Sequence, residues 1–416
     1  MKLKLAVSMC IACGLISPAA FATNGYFSHG YGMKAKGMGG AGVALPQDAL
    51  AAATNPAGMV MVGDRADIGL DWFRPSREAQ ITGNMFPGVN GTYSANGKQN
   101  FFIPEFGYNK MLNSDTALGL SVFGNGGMNT TYNTNPFGGF GGTGTAGVNL
   151  EQLFISPTWS MKLAPEHSIG VALNLAYQTF EAKGIQPFAG MSQSPANVSN
   201  NGKNSSTGYG LRIGWVGQLT PEFSLGATYQ TKTRMSKFSK YQGLFAEQGG
   251  FDIPANYAIG MALKASPSTT LAFDVERILY GNIKSISNTM AAGGPMGASN
   301  GSGFGWRSIN VYKLGISHVV DSTLTLRAGY NHNDQPIPAS QTFFNILAPG
   351  VVQDHLTLGA TWTLADKSEI TLAYMHAFKK TVSGAGSIPP GAPPGFGGGE
   401  ANLSMSQNSF GIAYGW

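Results

Sequence analysis

Leu356-Thr357-Leu358-Gly359-Ala360-Thr361-Trp362-Thr363-Leu364 is the stretch on which the fold of this 416-residue chain turns. Successive side chains of an extended strand point to opposite faces. Leu356, Leu358, Ala360, Trp362 and Leu364 therefore share one face, and Thr357, Gly359, Thr361 and Thr363 the other. Leu324, Leu326, Ala328 and Tyr330 alternate in the same way against Thr323, Thr325, Arg327 and Gly329. So do Ile169, Val171, Leu173, Leu175 and Tyr177 against Gly170, Ala172, Asn174 and Gln178. Ile370, Leu372 and Tyr374 repeat the pattern, and Phe410, Ile412, Tyr414 and Trp416 carry it to the last residue. An apolar face backed by a small or polar one places one side of each strand against lipid and the other against a lumen. Tyr177, Tyr229, Tyr330 and Trp362 lie near strand ends, where aromatic girdles form.

The punctuation between strands is asymmetric. Short turn clusters stand at Asn113-Ser114-Asp115, Pro165-Glu166-His167, Thr220-Pro221-Glu222, Ser266-Pro267-Ser268, Asp321-Ser322 and Ala365-Asp366-Lys367. Between them lie long segments rich in Gly, Asn, Ser and Pro: about 74–100, 127–150, 182–206, 236–252, 282–304, 335–350 and 381–403. Short turns on one side and long loops on the other predict a transmembrane antiparallel β-barrel, all-β in class. About fourteen strands fit, from 65–73 through a third at 117–126 to 404–416. An even count leaves no open edge in lipid. A secreted β-sandwich would have shorter strands and more uniform turn spacing.

Composition agrees. Only 11% of residues are charged, 59 are Gly, and the mean hydropathy is -0.03. Beyond the N-terminus no apolar run is long enough for a membrane helix. Lys2 and Lys4, the apolar run Leu5 to Ile16 and Ala20-Phe21-Ala22 predict a secretory leader over 1–22. It holds both cysteines, Cys10 and Cys13, so the mature chain has no thiol chemistry. The net charge of +5 is too thinly spread for a nucleic-acid binder. Residues 23–64 do not alternate. They are rich in Gly and Ala, with a helix-compatible run from Gln47 to Thr54 that Pro56 stops. This segment is expected either as a periplasmic tail or as a partly helical plug in the lumen of a barrel formed by 65–416.

Here the residues become recognisable. Asn24-Gly25-Tyr26-Phe27, Gly37-Met38-Gly39-Gly40-Ala41-Gly42, Asp48-Ala49 and Asn55-Pro56-Ala57-Gly58-Met59 resemble, in order and spacing, the N-terminal hatch of the FadL/TodX-type outer-membrane transporters. Asn333-Asp334-Gln335-Pro336-Ile337-Pro338, Pro349-Gly350 and Asp354-His355-Leu356-Thr357-Leu358-Gly359 are similar to late strands of that family. The resemblance implies carriage of long-chain fatty acids or aromatic hydrocarbons across a Gram-negative outer membrane by facilitated diffusion. Its gating residues would be Asn24, Gly25, Tyr26, Phe27, Asn55, Pro56 and Ala57. A third-strand kink would give lateral exit, and Gly124-Asn125-Gly126-Gly127 interrupts that strand here, as glycines at a bulge do. Loop capture would fall to Phe188 and to the stripe Phe238, Tyr241, Leu244 and Phe245, whose helical spacing predicts an exposed apolar patch. Arg212 and Arg327, on polar strand faces, are candidates for pairing a ligand carboxylate. The implied partners are a hydrophobic small molecule, outer-membrane lipid and the barrel-assembly machinery that reads an aromatic C-terminus; a monomer is expected.

Competing motifs carry little. Gly37 to Gly42 fits G-x-G-x-x-G but follows no strand. Gly297-Ala298-Ser299-Asn300-Gly301 fits G-x-S-x-G but lies in a loop rather than a strand-to-helix elbow. The six His are scattered, so no metal and no cofactor is expected, nor an enzyme. The alternatives are a non-specific diffusion porin, with a wet and charged lumen, and an outer-membrane lipid hydrolase, which needs a lipid-facing Ser–His pair.

Overall fold

The computed structural model describes residues 23–391 and 395–416. The leader expected over 1–22 lies outside the described residues. Fourteen long strands form the wall: β1 Arg65–Thr82, β2 Phe101–Met111, β3 Thr116–Asn129, β4 Gly147–Ala164, β5 His167–Lys183, β6 Asn204–Gln218 and β7 Phe223–Gln230, followed by β8 Asn256–Lys264, β9 Thr269–Ile278, β10 Ile309–Val319, β11 Leu324–Asn333, β12 Asp354–Thr363, β13 Glu369–Val382 and β14 Glu400–Gly415. Each pairs antiparallel with the next, and β14 returns to β1 in register from Asp67 with Gly415 to Thr82 with Glu400. The sheet is closed, so strand pairing satisfies its backbone groups without water everywhere except where the ladder between β2 and β3 stops. Two short pieces, Gly91–Ser94 and Arg234–Met235, add to β1 and β6.

The alternation reads out as expected. Leu356, Leu358, Trp362 and Leu364 are exposed on the outer wall, whereas Thr357 and Thr361 are buried in the lumen. All six predicted turns join strands at one end, and the seven long segments join them at the other. Strand ends shift by a few residues in several places, and one boundary moves further. β1 continues to Thr82 rather than ending at Phe73, because its far half pairs with β14. Outward residues change there from Trp72 to Arg74, Ser76 and Glu78, and on β14 from Phe410 to Asn408 and Ser406. That part of the wall stands above the lipid, so its outer face has no apolar alternation to find.

Residues 23–62 are threaded through the lumen with scarcely any regular structure: helical turns α1 Met33–Lys36 and α2 Met59–Val62, with 3-10 turns at Ala51–Ala53 and Pro56–Gly58. The expected helix over 47–54 shrinks to the single turn Ala51–Ala53, and Ala49 before it turns its backbone N and O to Asp67 and Ser121 of the wall. Asp67 accepts from Ala49 N (2.9 Å), and Asp274 from Gly42 N (2.7 Å) and Val43 N (3.0 Å). Thr357 accepts from Gly39 N (2.7 Å), and Asn331 donates to Gly39 O (3.0 Å). Irregular backbone survives at membrane depth only with such partners. Strand glycines make the room. A Cβ on Gly329 would stand 2.1 Å from Gly39 N, and one on Gly214 would stand 1.8 Å from Asn55 Oδ1. Buried ion pairs complete the seat: Lys36 with Asp71 (2.9 Å) and Glu105 (3.5 Å), and Lys34 with Glu369 (2.7 Å).

Candidate functional site: hatch tip, strand bulge and aromatic column

Asn24 to Phe27 turn back on themselves, with Asn24 N donating to Phe27 O (3.1 Å). Tyr280, in the loop after β9, locks this tip. Its hydroxyl accepts from Tyr26 N (3.2 Å) and Phe27 N (3.3 Å) and donates to Asn24 O (2.6 Å). Gly25 is needed beneath it, at φ +67 with the Tyr280 hydroxyl 2.7 Å from where a Cβ would stand. The Tyr26 ring meets Tyr280 at 5.1 Å and Trp306 at 5.9 Å. Tyr280→Phe removes three bonds worth about 1 kcal/mol each net. Exchange of the Tyr26 and Phe27 amides is expected to accelerate at least tenfold in hydrogen–deuterium exchange, and unchanged protection would contradict the lock.

The tip's other side rests on β3. Gly127 N donates to Tyr26 O (3.0 Å) and Ser28 N to Asn125 O (3.2 Å). A Cβ on Gly126 would stand 2.1 Å from Tyr26 O. Opposite β4 the register slips between Gly124 and Gly126, leaving Asn125 as a bulge. Opposite β2 the ladder runs only from Met111 with Ala117 to Phe106 with Val122. Beyond it, Phe101 to Glu105 of β2 and Phe123 to Asn129 of β3 are not paired with each other. Asn125 Nδ2 donates to Gln152 (3.1 Å), Gln152 to Gln178 (3.1 Å), and Gln178 to Phe251 O (2.9 Å), a polar rail that fixes the bulge.

Above the tip, the loops supply an aromatic column. Phe137, Phe188, Phe343 and Phe396, from four loops, pack at 5.1 to 6.0 Å, with Phe140 and Phe344 beside them. Phe238, Tyr241, Leu244 and Phe245 do come together, but they are buried rather than forming the exposed patch their spacing predicted. The chain makes one 3-10 turn, Ser239–Tyr241, and then reverses through Glu247 and Gln248 at positive φ. This turns the stripe inward onto Phe180 and Phe251. Phe188 is likewise fully buried. The apolar cluster is continuous from these rings through Trp306 to Tyr26, Phe27, Phe123 and Met128.

A profile of the outer membrane transport protein family OMPP1/FadL/TodX matches residues 9–387. The chain belongs to that family. Among solved structures, the Pseudomonas putida toluene transporter TodX shares 19% identity over 94% of this chain and 99% of that one, with a TM-score of 0.69. A Pseudomonas aeruginosa FadL homologue gives 18%, 94%, 99% and 0.72, and the Ralstonia pickettii toluene transporter TbuX 17%, 93%, 98% and 0.63. These share its fold. No curated protein matches the sequence. This FadL/TodX-family chain is an outer-membrane barrel of a Gram-negative bacterium, and its family is one of transport proteins rather than enzymes.

The remaining hatch motif of this family member is a fastening. Asn55 Nδ2 donates to Val43 O (2.8 Å) and Trp215 O (3.0 Å) while its Oδ1 caps Ala57 N (3.1 Å); Pro56 and Ala57 are buried. It lies against β5 and β6, apart from the tip. Both arginines also face the hatch. Arg212 donates to Thr54 O (3.0 Å) and Gln230 (2.5 Å), and Arg327 to Gln47 (3.0 Å) and Thr361 (2.7 Å). Sequence reading did not single out Tyr280, Trp306, Phe137, Phe343 or Phe396. Aromatic residues inside glycine-rich loops were the one available signal.

Charge in the hatch is tuned by burial. Desolvation, with Asp67 nearby, pushes the Asp48 carboxyl up to about 7. A carboxyl raised on folding favours the protonated fold, so stability is full below about pH 4 and is lost as pH rises towards 7. His29 acts oppositely: burial lowers it to about 3, so stability is lost as pH falls below 6.5. Asp48→Asn keeps an acceptor for Leu50 N (3.0 Å) and removes the repulsion. Hatch amides in that variant are expected to be better protected than wild type at pH 8 and equally protected at pH 4. A wild-type profile at both values would refute this.

Proposed function

We propose that this protein carries uncharged hydrocarbons, aromatic compounds among them, from the cell exterior into the outer leaflet by facilitated diffusion. Ligand enters between the phenylalanines of the loops, is held against Tyr26 and Phe27, and leaves sideways where β3 parts from β2 when the hatch tip moves. The observation that carries this reading is that the apolar column ends on the stretch of β3 that β2 leaves unpaired and only the tip covers. Each buried CH₂ contributes about 0.8 kcal/mol, so a dry path is downhill for such a ligand and a wet bore is not. The preference for neutral cargo rests on the arginines: Arg212 and Arg327 each donate once to the hatch and once to a strand side chain, and neither lies over a ring of the column. The toluene transporters TodX and TbuX, which this chain resembles in fold, support it. We also assign to this reading a single chain as the working unit and delivery to the membrane by barrel-assembly machinery.

The test is uptake by a deletion strain complemented with this chain. Labelled toluene is expected to enter several-fold faster than in the empty strain, with oleate unchanged. Restoration of oleate uptake alone would overturn the neutral-cargo reading, and a large steady conductance to ions in planar bilayers would favour a porin.

A further inference from the structure

One pocket of about 290 Å³ lies outside this route, on the outer wall at the loop end of β3, β4 and β5. Lys98, Lys183 and Lys203 line it, together with Asn129 to Thr131 and Glu181. Asn129 ends β3, on the stretch that β2 leaves unpaired. Its height is set by the outward residues beneath it. Leu153 pairs with Tyr177, Glu151 with Thr179 and Asn149 with Glu181. Ile155, Leu175 and Tyr177 are exposed apolar wall, and Tyr209 beside them is 62% exposed. Glu181 is four residues beyond Tyr177, about 13 Å along the strand. The pocket therefore sits just above the aromatic girdle, at the level of lipid head groups.

Its charge is unbalanced. Lys183 pairs with Glu181 (3.1 Å) and Lys203 with Glu151 (3.1 Å), both lysines half exposed. Lys98 makes no ion pair among the described residues and lies over the Phe101 ring, 5.4 Å away. Behind the wall is Arg77, 2% exposed. Its guanidinium donates to the Asn129 carbonyl and to Lys98 O (2.5 Å), both from residues that line the pocket, and its Nε has no partner. No carboxylate pairs with it among the described residues. A buried cation without an anion is costly, and here it backs a concave site with three ammonium groups at the rim.

We propose that this pocket binds the phosphate of an outer-leaflet lipid head group, whose acyl chains then lie along the unpaired edge of β3. Phosphate matches a cluster of ammonium groups with a guanidinium behind it, and cations at this height meet anionic head groups. The head-group pocket is separate from the ligand column, so the phosphate contact stands or falls independently of the cargo.

The purified full-length barrel would be titrated with bis-phosphorylated lipid A, with dephosphorylated lipid A and with inorganic phosphate, reading bound lipid by native mass spectrometry. The bis-phosphorylated form is expected to bind at least tenfold tighter than the dephosphorylated one, and millimolar phosphate is not expected to displace it. The triple change Lys98→Gln, Lys183→Gln, Lys203→Gln should weaken binding at least tenfold; Glu181→Gln should strengthen it, and Lys284→Gln on a distant loop should do neither. Heat-modifiable gel mobility reports folding. If the triple variant misfolds, Lys98→Gln alone should still weaken binding about threefold. Equal affinity for dephosphorylated lipid, saturation by inorganic phosphate alone, or unchanged binding in the lysine variants would overturn the assignment.

Discussion

Deletion of Asn24 to Phe27 is expected to lower toluene uptake about tenfold while the barrel still assembles. Tyr26 and Phe27 are at most 2% exposed and sit where the apolar column meets the β3 bulge. Aromatic contacts contribute about 0.5–1.5 kcal/mol each beyond their buried area. Losing two of them weakens retention of a ligand held there by about tenfold. The same deletion strands the Tyr280 hydroxyl, which loses all three tip partners. Assembly should be spared, because the hatch keeps its anchors at Lys36, Asn55 and Gly39, and the wall closes through β1 and β14 without the tip. Normal uptake in a correctly folded variant would remove the hatch tip from the mechanism.

The second large effect is expected from Gly126→Val. The new Cβ would lie 2.1 Å from Tyr26 O and 3.2 Å from Phe27 Cα, with backbone on the other side of the clash. Nothing there can swing away, so the tip must leave β3 and the bond from Gly127 N to Tyr26 O is lost. Overpacking of this kind costs about 1–3 kcal/mol. Uptake should fall at least tenfold, and Gly126→Ala should move it in the same direction by less. The rung between Gly126 and Gln152 uses backbone alone, so β3 should keep its place beside β4. A variant that takes up toluene normally, with a protected Tyr26 amide, would show that the contact between tip and bulge has no part in transport.

Much of this architecture was legible beforehand because it depends on local periodicity. The strand Leu356 to Leu364 alternates because lipid lies on one side and the lumen on the other, and every residue of it faces as its chemistry requires. The turns at Asn113, Pro165 and Thr220 were marked by the residues that make turns. The extension of β1 to Thr82 was not legible, since outside the bilayer Ser76 and Glu78 can face water in a strand as well as in a loop. The stripe Phe238 to Phe245 misled for a related reason. Helical spacing says which residues could share a face, but the direction of that face was decided by Phe180, remote in sequence, and by the reversal at Glu247 and Gln248 that brings Phe251 back onto it.

The hatch marks the same division. Its composition, small and poorly charged, sufficed to make a lumenal plug one of two expectations, and Asn125 and its flanking glycines sufficed to mark a bend. By itself the sequence determined a closed barrel, short turns at one end with long loops at the other, and the presence of a non-strand N-terminal segment, all through patterns of neighbouring residues. Only the tertiary structure decided that Gly329 and Gly214 exist to admit the hatch, that Arg212 and Arg327 hold it, and that Tyr280 locks its tip. Those roles depend on contacts across more than 150 residues of chain, where a side chain's partner is set by closure of the wall and not by any nearby spacing.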